Sequence, residues 1–284
     1  MMITRRGFFK AGILLGGAVA IEGFVIEPEK IRVEKVSVPI AGLGAGLDGF
    51  TICQITDIHH SHTVSLDYIE GVIRMANSLE PDMMALTGDY IDMDREYMGP
   101  VIRCLSDLKA RHGSIAVMGN HDYFIGREYS KDVISSNSIP LLENSHTIIE
   151  YGGSRLCVAG VTDLLEDTPD AGAALAGVPA DIPRVLLSHH PDYSERIDTG
   201  LRVDLILSGH THGGQVRLPF GIAPIVPSAF GQKYSGGLVS LGRDEGTKVY
   251  VSRGIGVSMI PVRFNCPPEI TLIRLTAAPP STKV

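Results

Sequence analysis

The sequence predicts an α/β domain, and three observations predict it. Short apolar runs of strand length recur along the chain, among them GFTICQIT, DMMALTG, SIAVMG, RVLLS and VDLILS. Segments of helical periodicity separate several of them, as an α/β architecture requires. Each run also stops at polar residues able to hold a ligand, at the strand ends where such folds gather their sites.

Taken in order, the chain opens on TRRGFFK, Thr4–Lys10, followed by the apolar run AGILLGGAVA, Ala11–Ala20. Paired arginines before a short apolar stretch fit a twin-arginine export signal. The run is short for a membrane span and Glu22 interrupts it. Ala18-Val19-Ala20 offers a small-residue cleavage site, and an apolar core helix is the competing reading. Residues 1–26 are therefore expected to be an export segment, placing the protein in the periplasm or on the outer face of the cytoplasmic membrane. Residues 27–284 form the domain proper, since no linker, repeat or low-complexity tract divides them.

IRVEKVSVPI, Ile31–Ile40, alternates like a half-buried strand. Leu66, Ile69, Ile73 and Ala76 mark one face of a helix that stops at Glu80-Pro81, and Val101, Leu105 and Leu108 mark a second that ends near Gly113. Beyond Gly236 the pattern returns to strands, KVYVSRG and EITLIRLT, and the tail APPSTKV is expected to be loose. The net charge of −7, with no Lys/Arg cluster, excludes nucleic acid as the expected partner, because backbone phosphates demand a basic face. Cys53, Cys104, Cys157 and Cys266 show no CxxC pairing; Cys53 and Cys157 sit in apolar runs and read as buried thiols.

The strand ends carry the chemistry. They deliver Asp57 and His59 in TDIHH, Asp89 in TGDY, Asn120 and His121 in GNHDY, His189 in LSHHPD, and His210 and His212 in SGHTHGG. Eight of the ten histidines fall at 59–62, 121, 189–190 and 210–212, a concentration that points to metal rather than to scattered surface residues. Singly, Asp57 also reads as a helix cap, Asp89 as a turn residue and Asn120 as an Asx-turn former. His60 and His62 read as solvent-facing loop residues or as the rim of a cleft. Asp163, after LCVAGVT, reads as a turn or supporting residue. Arg253 and Arg263 lie in late loops, where they either meet a substrate phosphate or serve the structure.

The ordered set D-x-H, G-D, G-N-H-D, a later His and G-H-x-H, from about Thr51 to Gly214, resembles the calcineurin-like metallophosphoesterase family. VSRGIGVSMIPVRFNCPPEITLI resembles the tail of its exported bacterial branch, which includes phosphodiesterases and enzymes cleaving the pyrophosphate of UDP-diacylglucosamine. The resemblance implies two packed mixed β-sheets flanked by helices, a four-layer αββα sandwich. It implies two divalent ions, Mn²⁺ first with Fe or Zn²⁺ as alternatives, since such oxygen and nitrogen ligand sets lack the thiolates of structural zinc. Asp89 would bridge the ions, Asp57, His59 and His212 would complete one site, and Asn120, His189 and His210 the other. His190 competes with His189, which the H-x-P-D spacing favours.

By the same resemblance His121 would protonate the leaving oxygen and Asp122 would orient its ring and favour the imidazolium. The expected reaction is attack of metal-bound hydroxide on a phosphodiester or pyrophosphate of the cell envelope. LPFGIAPIVPSAFG and GIGVSMIPVRF would shape a cleft for a lipid- or sugar-linked substrate, or simply cover a sheet edge, and peripheral membrane association stays open. A phosphomonoesterase on the same site and a non-catalytic metal-binding scaffold are the alternatives. The H-x-H-x-D-H cluster of lactamase-type hydrolases is absent.

Overall fold

A computed structural model describes residues 16–241 and 246–278. Arg5, Arg6 and most of the C-terminal tail lie outside the described residues. In chain order the first half holds β1 (Arg32–Ile40), β2 (Thr51–Ile55), α1 (Leu66–Asn77), β3 (Met83–Leu86), α2 (Met98–Leu105), β4 (Ser114–Ala116), α3 (Asn120–Phe124) and α4 (Arg127–Ser136). The second half holds β5 (Ser145–Tyr151), β6 (Ser154–Gly160), α5 (Ala171–Ala174), β7 (Arg184–Leu187), β8 (Leu205–Ser208), β9 (Gly237–Ser240), β10 (Lys248–Val251) and β11 (Glu269–Ala277).

The strands form a five-stranded sheet in the order β1-β11-β2-β3-β4 and a six-stranded sheet in the order β5-β6-β7-β8-β10-β9. Both are mixed. In the first, β2, β3 and β4 run parallel and β11 is antiparallel to β2. In the second, β6, β7, β8 and β10 run parallel, with antiparallel β5 and β9 at the edges.

Side-chain alternation along each strand builds the layers. Ile52, Met83, Ala85 and Ile115 of the first sheet face Val158, Val185, Leu187 and Leu205 of the second across a shared core. The neighbours Cys53, Ile55, Met84 and Leu86 point the other way, onto Ile69, Val72 and Ile73 of α1 and Val101, Ile102 and Leu105 of α2. On the far face of the second sheet, Cys157, Ala159, Leu186 and Ile206 pack against Ala171, Ala174, Tyr193 and Ile197. Strands buried on both faces explain why the sequence shows continuous apolar runs rather than alternation. The architecture is the expected pair of mixed sheets flanked by helices, although the outer layer of the second sheet is thin, built by α5 and the 3₁₀ turn Pro191–Arg196.

α1 starts at Ser65, whose hydroxyl accepts from the Tyr68 amide, and it ends at Asn77, ahead of the Glu80-Pro81 stop read in the sequence. Strand β1 pairs in parallel with β11, so the two ends of the domain lie side by side. Cys53, Cys157 and Cys266 are buried, and all four cysteines are free. His60 departs from its expected place in solvent: it is buried, with Nδ1 donating to the Val64 carbonyl at 2.7 Å.

Candidate metal centre

The carboxyl ends of β2, β3 and β4 meet those of β7 and β8 at one edge of the sandwich. The loops there are laced by backbone bonds: the Asp57 amide donates to Gly88 O and the Ile58 and His59 amides donate to Asp89 O. Five residues of this edge hold left-handed backbone, Asp57 (φ 51), His59 (φ 48), Asp89 (φ 54), His210 (φ 67) and His212 (φ 50). Side chains other than glycine avoid that region, and such strain persists only where the surroundings over-determine it. Glycine supplies the clearance. A Cβ on Gly209 would lie 2.0 Å from Asp57 Oδ2, and one on Gly119 would lie 2.3 Å from Asp89 Oδ1.

Three groups of donor atoms converge among the described residues, two of them made of expected ligands, Asp57, His59 and His212, and Asp89, His189 and His210, and the third of His59, Asp92 and His121. In the first, His212 Nε2 stands 3.3 Å from Asp57 Oδ1 and 2.9 Å from His59 Nε2. In the second, His189 Nε2 stands 3.2 Å from Asp89 Oδ2. His189 Nδ1 donates to the Thr87 carbonyl at 2.7 Å, which turns Nε2 inward. Asn120 Oδ1 is 3.1 Å from His210 Nδ1. Asp89 Oδ2 is also 3.5 Å from His59 Nε2, so this one carboxylate faces both groups. The structure thus brings together all seven residues that the sequence singled out as ligands. His190 sits apart from Asp89, its ring stacked on that of His210 at 3.6 Å between centroids.

The electrostatics are those of a cation site. Burial raises Asp89, but the imidazoles of His189 and His59 outweigh it and hold the carboxyl well below the usual range. Burial lowers His189, yet the Asp89 and Asp57 carboxylates carry it well above its ordinary value. His59 is raised in the same way, chiefly through Asp92 against its own burial. His210 and His212 are pushed well below theirs by burial and by neighbouring imidazoles. Burial also brings His190 down to about 4. The donor set fits divalent ions: carboxylate, imidazole and amide atoms converge, and two imidazole nitrogens, His59 Nε2 and His212 Nε2, face each other.

Asp122 does not touch the His121 ring. Its two oxygens accept from the Asp89, Tyr90 and Gly119 amides at 2.8 to 2.9 Å, tying the loop after β3 to the loop after β4. Burial pushes its carboxyl up to about 7. The residue that meets His121 is Asp92, whose carbonyl accepts from His121 Nδ1 at 2.5 Å. Its Oδ1 lies 3.6 Å from that nitrogen and 3.5 Å from His59 Nδ1. Sequence reasoning missed Asp92, although it is the second carboxylate of TGDYID, three residues beyond Asp89.

The two late arginines do not fit the substrate role expected of them. Arg263 is fully buried, and its guanidinium donates to the carbonyls of Gly256, Cys266, Arg253 and Gly254. Arg253 is held between Glu34 at 2.6 Å and Glu269 at 2.8 Å. Asp163 caps a turn, accepting from the Leu165 and Glu166 amides.

The fold and the paired donor groups define a metal-dependent phosphoester hydrolase with a binuclear divalent-metal site. Residues 50–214 match the calcineurin-like phosphoesterase family, and the chain belongs to it. It is 33% identical over 284 residues to the uncharacterized metallophosphoesterase YkuE of Bacillus subtilis, covering 96% of this chain and 98% of that protein. It is 30% identical over 278 residues to the phosphodiesterase YaeI of Escherichia coli, covering 96% of this chain and all of that one. A bovine transmembrane protein with a metallophosphoesterase domain is 31% identical over 94% of this chain, which spans 62% of its length. Among solved structures, the NAD nucleotidase of Haemophilus influenzae shares the fold, with a TM-score of 0.51 at 13% identity over 72% of this chain and 45% of that one.

Proposed function

We propose that the protein is an exported phosphodiesterase or pyrophosphatase acting on a phosphoester of the cell envelope, with two divalent ions, Mn²⁺ first. The observation that carries the chemistry is Asp89, whose carboxylate faces both donor groups. Asp57, His59 and His212 would hold one ion and Asn120, His189 and His210 the other. Bound there, the ions would activate the attacking water and neutralise phosphate charge.

The protein's own groups do the rest. Asp92 holds His121 through Nδ1, which leaves Nε2 to carry a proton to the leaving oxygen. Asp122 fixes the loops that carry Asp89 and Asn120. Thr87 fixes the imidazole of His189.

Two considerations support a diester or pyrophosphate over a monoester. A relative aligned along its full length is named a phosphodiesterase. In addition, Arg253 and Arg263 are committed to carboxylates and carbonyls, so neither is free to grip the extra charge of a monoester dianion. The test compares bis(p-nitrophenyl) phosphate with p-nitrophenyl phosphate at neutral pH with Mn²⁺. A larger kcat/KM for the diester is expected, and a clear preference for the monoester would move the enzyme to the phosphatases.

Export rests on Arg5-Arg6 and the apolar run behind them, with residues 1–26 as signal and 27–284 as enzyme. Replacing both arginines with lysine should retain the precursor in the cytoplasm, because guanidinium and ammonium are not interchangeable to a receptor that reads hydrogen-bond geometry. Undiminished appearance outside the inner membrane would reject it.

A further inference from the structure

Three apolar segments gather beside the metal centre. The first follows Ala20, with Phe24 and Val25 more than half exposed. The second is the loop after His212, which carries Phe220 and Ile225 at 100% and 77% exposure. The third is the loop after β10, which carries Met259 at 95%.

Hydrogen bonds lock the three together. The Gln215 side chain donates to Ser258 O and accepts from the Ser258 amide, joining the two loops. The Arg263 amide donates to Gly23 O, and Glu27 accepts from the Asn265 and Cys266 amides, joining the N-terminal segment to them. Phe24 and Val25 then share a small cavity with Tyr68, Ile255 and Pro261. The Gly256 amide donates to Asp57 O at 2.7 Å, which joins the loop after β10 to the strand end that carries Asp57.

The loop tips carry bulky apolar residues in turn conformations that such residues seldom adopt. Phe220 (φ 71) and Met259 (φ 61), the two most exposed large apolar side chains among the described residues, both hold left-handed backbone that such residues avoid. Each sits in a hydrogen-bonded turn, closed by the Gly221 amide on Leu218 O and by the Ile260 amide on Ser258 O, which fixes the backbone while the side chain stays in water. Apolar groups held in water at protruding tips gain free energy only when something apolar covers them.

We propose that the two loop tips and the exposed residues after Ala20 form a docking surface that inserts into a lipid bilayer and sets the metal centre at headgroup level. A bilayer suits separated, protruding tips, whereas a protein partner needs a continuous complementary face. The segment itself carries further exposed apolar side chains, Val19, Ile21 and Ile26 beside Phe24 and Val25, interrupted by Glu22, and these share the chemistry of the tips. With a net charge of −7 and no basic cluster, insertion rests on apolar contact rather than on attraction to anionic lipid. The proposal deepens the envelope-phosphoester reading and rests on it only for what the docked enzyme cuts.

The chain contains no tryptophan, so a single one reports its own surroundings. Met259→Trp and, as control, Asp181→Trp in the exposed turn before β7 at the opposite edge, are made in the full chain. Each is mixed with phosphatidylethanolamine–phosphatidylglycerol vesicles with and without brominated acyl chains, at low and high salt. The bromolipid should quench the reporter at 259 by about twofold or more, undiminished by salt, and leave the reporter at 181 unchanged. Vesicle-bound protein whose reporter at 259 stays unquenched would overturn the proposal, as would equal quenching of both reporters or no vesicle binding. A blue shift at 259 that grows with protein concentration in the absence of lipid, together with a dimer by sedimentation, would assign the surface to a second copy instead. Hydrolysis of bis(p-nitrophenyl) phosphate without vesicles is measured alongside, so that loss of docking and loss of the phosphodiesterase reading register separately.

Discussion

His59 and His212 face each other through their Nε2 atoms across 2.9 Å, both buried, one from the loop after β2 and the other from the loop after β8. The two sheets therefore meet at an imidazole pair whose members titrate in opposite directions. Asp92 and the other carboxylates raise His59 against its burial, while burial lowers His212. The 2.9 Å contact requires that one of the two nitrogens carry a proton shared with the other.

Metal entry must expel that proton, because an imidazole coordinates only through a free lone pair. The sign follows. His59 and His189, both raised, must release any ring proton on the coordinating nitrogen to the solvent as metal binds, so affinity climbs as pH rises through their titration. His210 and His212, lowered, are already neutral there and add no pH dependence. Calorimetric titration with Mn²⁺ in two buffers of different ionisation heat should show about one to two protons released per chain. A heat independent of buffer would contradict this.

His121→Ala should retain its metals and lose about 10²–10⁴-fold in rate on esters with an alkoxide leaving group, with a much smaller loss for nitrophenolate, which departs without a proton. Asp92→Asn keeps the backbone acceptor of His121 Nδ1 but removes the carboxylate charge whose Oδ1 lies 3.6 Å from it, so it should reproduce a minor part of that loss with the same dependence on leaving group. Equal losses for both substrates would remove His121 from the acid role.

Arg263→Met should cost about 3 kcal/mol in urea unfolding, because several buried carbonyls lose their donor at once. The folded fraction should keep its KM. An unchanged unfolding midpoint with a raised KM would restore Arg263 to substrate binding.

The strand ends were legible because strands buried on both faces leave uninterrupted apolar runs, each stopping at its ligand residue. The histidine clusters then singled out the site. Edge strands left weaker marks: in β5 and β9 half-exposed positions blur the pattern. The errors concern partners that only folding creates. Asp122 looked like the companion of His121 because it is adjacent in sequence, yet the turn into α3 sends its oxygens to the Asp89, Tyr90 and Gly119 amides. Arg263 looked free because its partners are carbonyls, which no residue type announces. His60 looked exposed because its acceptor, Val64 O, is also backbone.

The central claim is that one carboxylate, Asp89, serves two ions, and metal content measures it most directly. Wild-type protein reconstituted with excess Mn²⁺ and then desalted should carry two ions per chain by elemental analysis. Asp89→Ala should lose both, and Asn120→Ala, which touches only the second group, should weaken one. One ion or none in the wild type, or an Asp89→Ala protein that still holds a full ion at either site, would contradict the account.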